Sequence, residues 1–257
     1  MTGTFTPMPG AAPLPRMVLA QARTEARLML RNGEQLLIAV VIPVLVLVGL
    51  VGAADSLGLD YDDAVVDVVT PGVLALAVLS TSFTSLAIAT GFERRYGVLK
   101  RLGTSPLPRS GLLAGKILAL LAVELLQATV VCGVGLALGW SPSPGAAGLL
   151  GALLAVAFGT AAFASLGLLV AGALRAEATL AVANLVYLLL LAGGAVVLPA
   201  SAYGGFGDVA AWLPSGALGE AMRDALLHGE VAWRDLAVLL GWAAAGSALA
   251  SRTFSWE

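Results

Sequence analysis

Charge is scarce in this 257-residue sequence. Asp, Glu, Lys and Arg make up 12% of it and hydrophobic residues 59%, whereas a soluble domain carries roughly a quarter charged residues. That balance excludes an ordinary water-soluble fold. Histidine and cysteine are nearly missing, with His228 and Cys132 the single copies. One histidine cannot build a histidine-based metal cluster or catalytic dyad within a chain. One cysteine inside an apolar run forms no intrachain disulfide and reads as a small packing residue. A nucleotide loop is lacking too: residues 111–117, GLLAGKI, have Ser110 and Ile117 where the phosphate-loop spacing demands Gly and Ser or Thr.

What is present is a series of apolar runs, each near the roughly 20 residues that cross a hydrocarbon core. They fall at 36–54, 65–90, 111–138, 146–174, 179–198 and 232–250. The sixth needs Arg234 and Asp235 to snorkel at its end. The predicted fold class is therefore an all-α integral membrane protein with six transmembrane helices. A signal-peptide reading of the first run fails, because about 35 residues precede it, far beyond the usual charged leader region.

Orientation follows from where Lys and Arg fall. Arg16, Arg23, Arg27 and Arg31 precede the first span, Arg94, Arg95, Lys100, Arg101, Arg109 and Lys116 lie between spans two and three, and Arg175 and Arg252 join them on the same side. The opposite side holds only Arg223 and Arg234, and its first loop is acidic, with Asp55, Asp60, Asp62, Asp63 and Asp67. Both termini are expected in the cytoplasm of a multi-pass plasma-membrane protein.

Residues 1–15 are rich in Thr, Pro and Ala without periodicity, which predicts a mobile tail ahead of the membrane domain at 16–257. From 16 to 32 the pattern turns helical. Leu19, Ala22, Ala26, Met29 and Leu30 recur at three- and four-residue steps, while Arg23, Arg27 and Arg31 form a basic stripe. Such a helix is expected to lie in the interface with its arginines toward anionic headgroups of the membrane lipids. A second short amphipathic helix, re-entrant or interfacial, is expected where Pro214 and Ser215 open a pattern through Leu226.

Polar residues at membrane depth are costly and point to function by default. Glu124 lies about 12 Å inside Lys116 at 1.5 Å per residue, with Gln127 on the same face. Two roles are open to this pair: hydrogen bonding to the Ser/Thr cluster of span two, Ser80 to Ser85, or lining a substrate cavity. Asn184 and Tyr187, one turn apart in span five, pose the same choice, and Phe83 is a further cavity candidate. Since Glu124 is the one carboxylate well inside a span, an intramembrane hydrolase with paired acids is a poor fit.

The richest stretch is 91–109, GFERRYGVLKRLGTSPLPR, which gathers Arg94, Arg95, Lys100, Arg101 and Arg109 between two apolar runs. A charged element there is where a soluble partner would grip. Its pattern E-R-x-x-G-x-L-x-x-L-x-x-[ST]-P is carried by Glu93, Arg94, Gly97, Leu99, Leu102, Ser105 and Pro106, followed by Pro108, Arg109 and the Gly115-Lys116 that opens span three. With Pro43 in span one and Leu213-Pro214 outside, the chain resembles the ABC-2-type transporter permeases, including the daunorubicin-resistance type. Tyr96, where the family often has Glu or Ser, and Glu124, at a usually apolar position, depart from the pattern.

The resemblance implies the permease half of an exporter that moves a hydrophobic or amphipathic small molecule such as a drug, antibiotic or lipid-like compound. It implies two copies of an ATP-binding subunit, which carry ATP and Mg, and a second permease chain, identical or homologous. No cofactor on this chain, no enzymatic activity of its own and no nucleic-acid partner are implied. The inner loop would be a coupling helix seated in the ATPase, formed by Glu93, Arg94, Arg95, Gly97, Val98, Leu99, Lys100 and Leu102, with a second contact at Arg175 and Glu177. Alternatives are a permease for polysaccharides or lipid-linked glycans, a membrane-embedded enzyme, or a scaffold that transports nothing.

Overall fold

The computed structural model describes residues 10, 12–59, 61–102 and 104–253, without the side chains of 34–38, 99 and 109. Most of the expected tail and Asp60 thus lie outside the described residues. So does the side chain of Leu99.

The described chain folds into helices α1 (Leu14–Arg31), α2 (Gly33–Gly52), α3 (Val65–Arg95), α4 (Val98–Leu102), α5 (Arg109–Ala137), α6 (Gly145–Ala173), α7 (Ala176–Gly193), α8 (Pro214–Arg223) and α9 (Trp233–Thr253). Among the described residues, α3, α5, α6, α7 and α9 are long and apolar enough to cross a membrane; α2 contributes a shorter apolar stretch at Ala39–Gly52. The chain is a multi-pass membrane protein. Pro43 and Pro71 sit inside α2 and α3 without ending either helix, as membrane helices tolerate when neighbours cover the freed backbone groups.

Helix α3 is the spine. Its first half, Val65–Leu79, is mostly apolar and buried, as a helix surrounded by others must be, and the whole helix packs against α2, α5, α6, α7 and α8. Gly72 allows a further close approach, to the segment after α7: a Cβ there would overlap the backbone of Val196 and Val197. In its middle the ladder widens into a π-helix over Ser80–Ser85, and all six residues are buried. Gly167 of α6 packs against the Ser82 and Phe83 carbonyls at that point, with 2.9 Å between the place a Cβ would take and the Phe83 oxygen. The hydroxyl-rich sequence STSFTS suits such a bulge, because its side chains reach neighbouring helices while the backbone register shifts.

The structure corrects several expectations. Span two does not stop at Thr90 but continues helically to Arg95, because Gly91 lets α3 pass close to Thr179 of α7 and no breaker intervenes before Gly97, which turns the chain at φ 67°. Span five does not reach Leu198: the helix ends at Gly193, Ala195 takes a positive φ of 51°, and Pro199 follows. The segment 195–198 is instead a run of bends, buried or half-buried. Helix α8 does not rest on a lipid surface. Every residue from Pro214 to Gly219 is buried, and the helix packs between α3, α6 and α9 before running into a π turn at Asp224–His228.

Helix α1 also differs from a purely lipid-facing helix. Ala22 and Glu25 are buried because α1 lies along α5, where Gly115 receives Gln21. Its arginines Arg23, Arg27 and Arg31 are exposed, as are Leu19, Leu28 and Leu30.

Candidate functional site

Three consecutive residues at the end of α3 bind three different parts of the molecule. Glu93 accepts a hydrogen bond from Lys116 of α5 at 2.7 Å, and the same ammonium reaches Glu25 of α1 at 3.0 Å. Gln21 donates to Glu25 at 2.8 Å from one turn earlier. Arg94 donates to the Gly172 carbonyl and, at 3.0 Å, to that of Leu174, so it caps the otherwise unsatisfied end of α6. Arg95 pairs with Glu177 in the first turn of α7. That last pair is half exposed and adds little by itself. Its neighbours matter more, because Lys116, Glu25 and Glu93 are 10, 11 and 17% exposed in their side chains.

Helix α4 follows directly after the Tyr96-Gly97 turn and projects from this clasp. Tyr96 and Val98 are exposed, as are Lys100 and Arg101, while Leu102 turns inward. Arg175 is exposed beside the same end of the bundle.

At membrane depth the π-helical stretch is the centre of a polar cluster. Ser82 donates to one oxygen of Glu124 and Thr160 of α6 to the other at 2.9 Å. Thr81 donates to Gln127 at 2.7 Å, and the Gln127 amide donates to the Ala39 carbonyl of α2 at 2.7 Å. Glu124 and Gln127 therefore bind α2, α3, α5 and α6 together. Phe83 of that stretch and Tyr187 of α7 are buried, the Tyr187 hydroxyl close to Ser80. Asn184 parts company with Tyr187: it faces outward from the chain beside the exposed Leu185, Leu188 and Leu189.

None of those five cavity candidates lines a cavity of about 690 Å³ that lies between α3, α5, α6 and α9 toward the basic end of the bundle. Its walls include Leu86, Thr90, Leu120, Ala164 and Ala250, and Leu102 of α4 contributes to them. Thr160 belongs both to that wall and to the Glu124 cluster.

At the acidic end, Arg223 of α8 is almost fully buried at 3% exposure. Its guanidinium donates to the carbonyls of Ala195, Val196 and Val197, the Val197 bond being 3.0 Å, and pairs with Glu220 at 3.1 Å. Glu220 in turn accepts from the Ala200 amide at 2.8 Å. The bent segment after α7 thus has its carbonyls matched by a side chain instead of by a helix.

Sequence reasoning singled out Glu93, Arg94 and Lys116 but missed Glu25, Thr160 and the caging role of Arg223. Glu25 stands within a basic helix and Thr160 within an apolar one, so neither spacing signals its partner. An arginine placed only by loop position gives no sign of burial.

A family model for ABC-2 family transporter proteins matches residues 54–252. The chain belongs to that family. No curated protein matches the chain. As an ABC-2 transporter it is the membrane component of an ABC transporter, and the family pairs with an ATP-binding subunit.

Proposed function

We propose that this ABC-2 protein is the permease of an ATP-driven exporter, with six spans and both termini in the cytoplasm. It works beside a second permease chain and is driven by two copies of a separate ATP-binding subunit, which bind ATP and Mg. The observation that carries the reading is the clasp of Glu93, Arg94 and Arg95. Through these residues α4 is fixed to the ends of α1, α5, α6 and α7 at once, so a force applied to α4 by a soluble partner is delivered to most of the bundle. Tyr96, Val98 and Lys100 present exposed side chains to the ATPase, with Arg175 and Glu177 alongside; Leu99 joins them on the sequence pattern alone. Leu102 passes the movement inward.

The outward-facing Asn184 supports a second chain against α7, since a polar side chain on a membrane-facing surface is stabilised by a partner or a wet cavity. The cargo is a hydrophobic or amphipathic small molecule, in keeping with spans that hold few fixed charges. The test is reconstitution of the chain with its ATP-binding subunit in vesicles. ATP-dependent movement of a lipophilic compound out of the ATP-accessible side is expected; movement without any ATPase, or in the reverse direction only, would refute the proposal.

A further inference from the structure

We infer that the cavity between α3, α5, α6 and α9 holds the acyl chain of an anionic phospholipid from the cytoplasmic leaflet. At about 690 Å³ it lies within the range of roughly 300–1,000 Å³ typical of sites that enclose a ligand. Two thirds of the lining residues are Leu, Ile or Ala, and the rest are Ser or Thr apart from Lys116. Leu113 and Ile117, 40 and 45% exposed, flank the mouth on the outer face of α5, where lipid tails lie, whereas Leu86, Leu112 and Leu120 behind them are buried.

A second observation fixes the depth and chemistry of the head end. Thr90 lines the cavity, is 1% exposed, and its hydroxyl has no hydrogen-bond partner. A buried hydroxyl left unmatched is rare and calls for an acceptor. Thr90 lies five residues before Arg95, about 7.5 Å along the helix at 1.5 Å per residue. The polar region of one leaflet is about 5–7 Å thick. With Arg95 at the headgroup level, Thr90 therefore meets the glycerol esters, whose carbonyl would accept its proton.

Charge selects the headgroup. Lys116 also lines the cavity, but Glu25 and Glu93 already surround it and leave that cluster with a net negative charge. The exposed bases Arg101 and Arg252 adjoin the lining residues Leu102 and Ser251 in sequence. They supply the positive charge at headgroup level that favours an anionic lipid. Because Leu102 lines the cavity, the bound chain also steadies α4.

The inference rests on the cytoplasmic placement of α4 but not on the identity of the cargo. The experiment uses the full transporter complex in vesicles containing phosphatidylglycerol with a photoreactive acyl chain, in parallel with the phosphatidylcholine analogue, followed by peptide mapping. Labelling is expected to concentrate in 112–121 and 157–168. It should fall about tenfold in Ala161→Trp, which fills the cavity from an exposed wall position, and in Ala157→Phe as a second filling variant. Arg101→Glu with Arg252→Glu should remove the preference for phosphatidylglycerol. Labelling spread evenly over all spans, or unchanged in both filling variants, would overturn the site. Equal labelling by the zwitterionic probe would overturn the headgroup assignment, and displacement by a transported compound would make this the cargo site instead. Loss of export with lipid labelling intact would count against the transport reading alone.

Discussion

Replacing Lys116 with methionine tests how the basic end of the bundle is held. The ammonium sits 2.7 Å from Glu93 and 3.0 Å from Glu25, and all three side chains are largely out of water. Methionine keeps an unbranched side chain, one atom shorter, but leaves two carboxylates facing each other. Breaking a buried ion pair from one side costs about 3–5 kcal/mol; partial access to water places this case near the lower figure. The loss falls on the seam between α1 and α5, so α1 should loosen before the rest of the bundle unfolds. The assay is disulfide formation between Gln21→Cys and Gly115→Cys in a Cys132→Ser background. A Cβ at Gly115 would stand 3.0 Å from that of Gln21, slightly inside the usual distance of about 3.5–4.5 Å for a disulfide. Crosslinking should slow markedly in Lys116→Met and recover when Glu25→Gln and Glu93→Gln are added, since removing all three charges leaves none uncompensated. Unchanged crosslinking and thermal stability in Lys116→Met would refute the reasoning.

Arg223→Met should destabilise the segment 195–198 by about 3–5 kcal/mol, because Glu220 and several carbonyls lose their partner; protease nicking near Pro199 measures it, and Arg223→Lys should rescue only in part, lacking the fork. Glu124→Leu should cost about 1–3 kcal/mol by leaving Ser82 and Thr160 unmatched, whereas Glu124→Gln should stay close to wild type, as read by detergent-solubilised melting. Gly72→Leu should fail to fold, since its side chain has only the backbone of Val196 and Val197 to enter; fluorescence-detected size exclusion reports this. Burial pushes the Asp224 carboxyl up, with His228 and Arg223 opposing and Glu220 and Glu230 adding to the rise. The folded state then holds that proton more tightly than the unfolded one, so this residue's contribution weakens as pH rises from the ordinary carboxylate range through the raised value. Asp224→Asn should therefore melt higher than wild type at neutral pH, with the difference vanishing in acid.

The membrane class and the basic helix at 16–32 were legible because they rest on composition and period, which a bilayer enforces. Span ends were less so. Gly91 permits α3 to continue to Arg95, whereas Gly193 and Gly194 end α7, and nothing in the local sequence distinguishes the two. The amphipathic pattern of α8 is real, yet its apolar side meets α3 and its polar side meets the backbone after α7 through Arg223 and Glu220. A pattern reports that two sides differ, not what each one touches. Likewise Glu124 and Gln127 announced a polar cluster, but the split between the exposed Asn184 and the buried Tyr187 depends on how α7 is rotated.

The central claim, that the α3–α4 corner couples a separate ATPase to the spans, is tested most directly by substrate-stimulated ATP hydrolysis of the purified complex carrying Leu99→Asp, measured together with retention of the ATP-binding subunit. The account predicts that the ATPase is released or that its stimulation is lost while the permease still inserts and assembles. Wild-type retention and wild-type stimulation in that variant would contradict it.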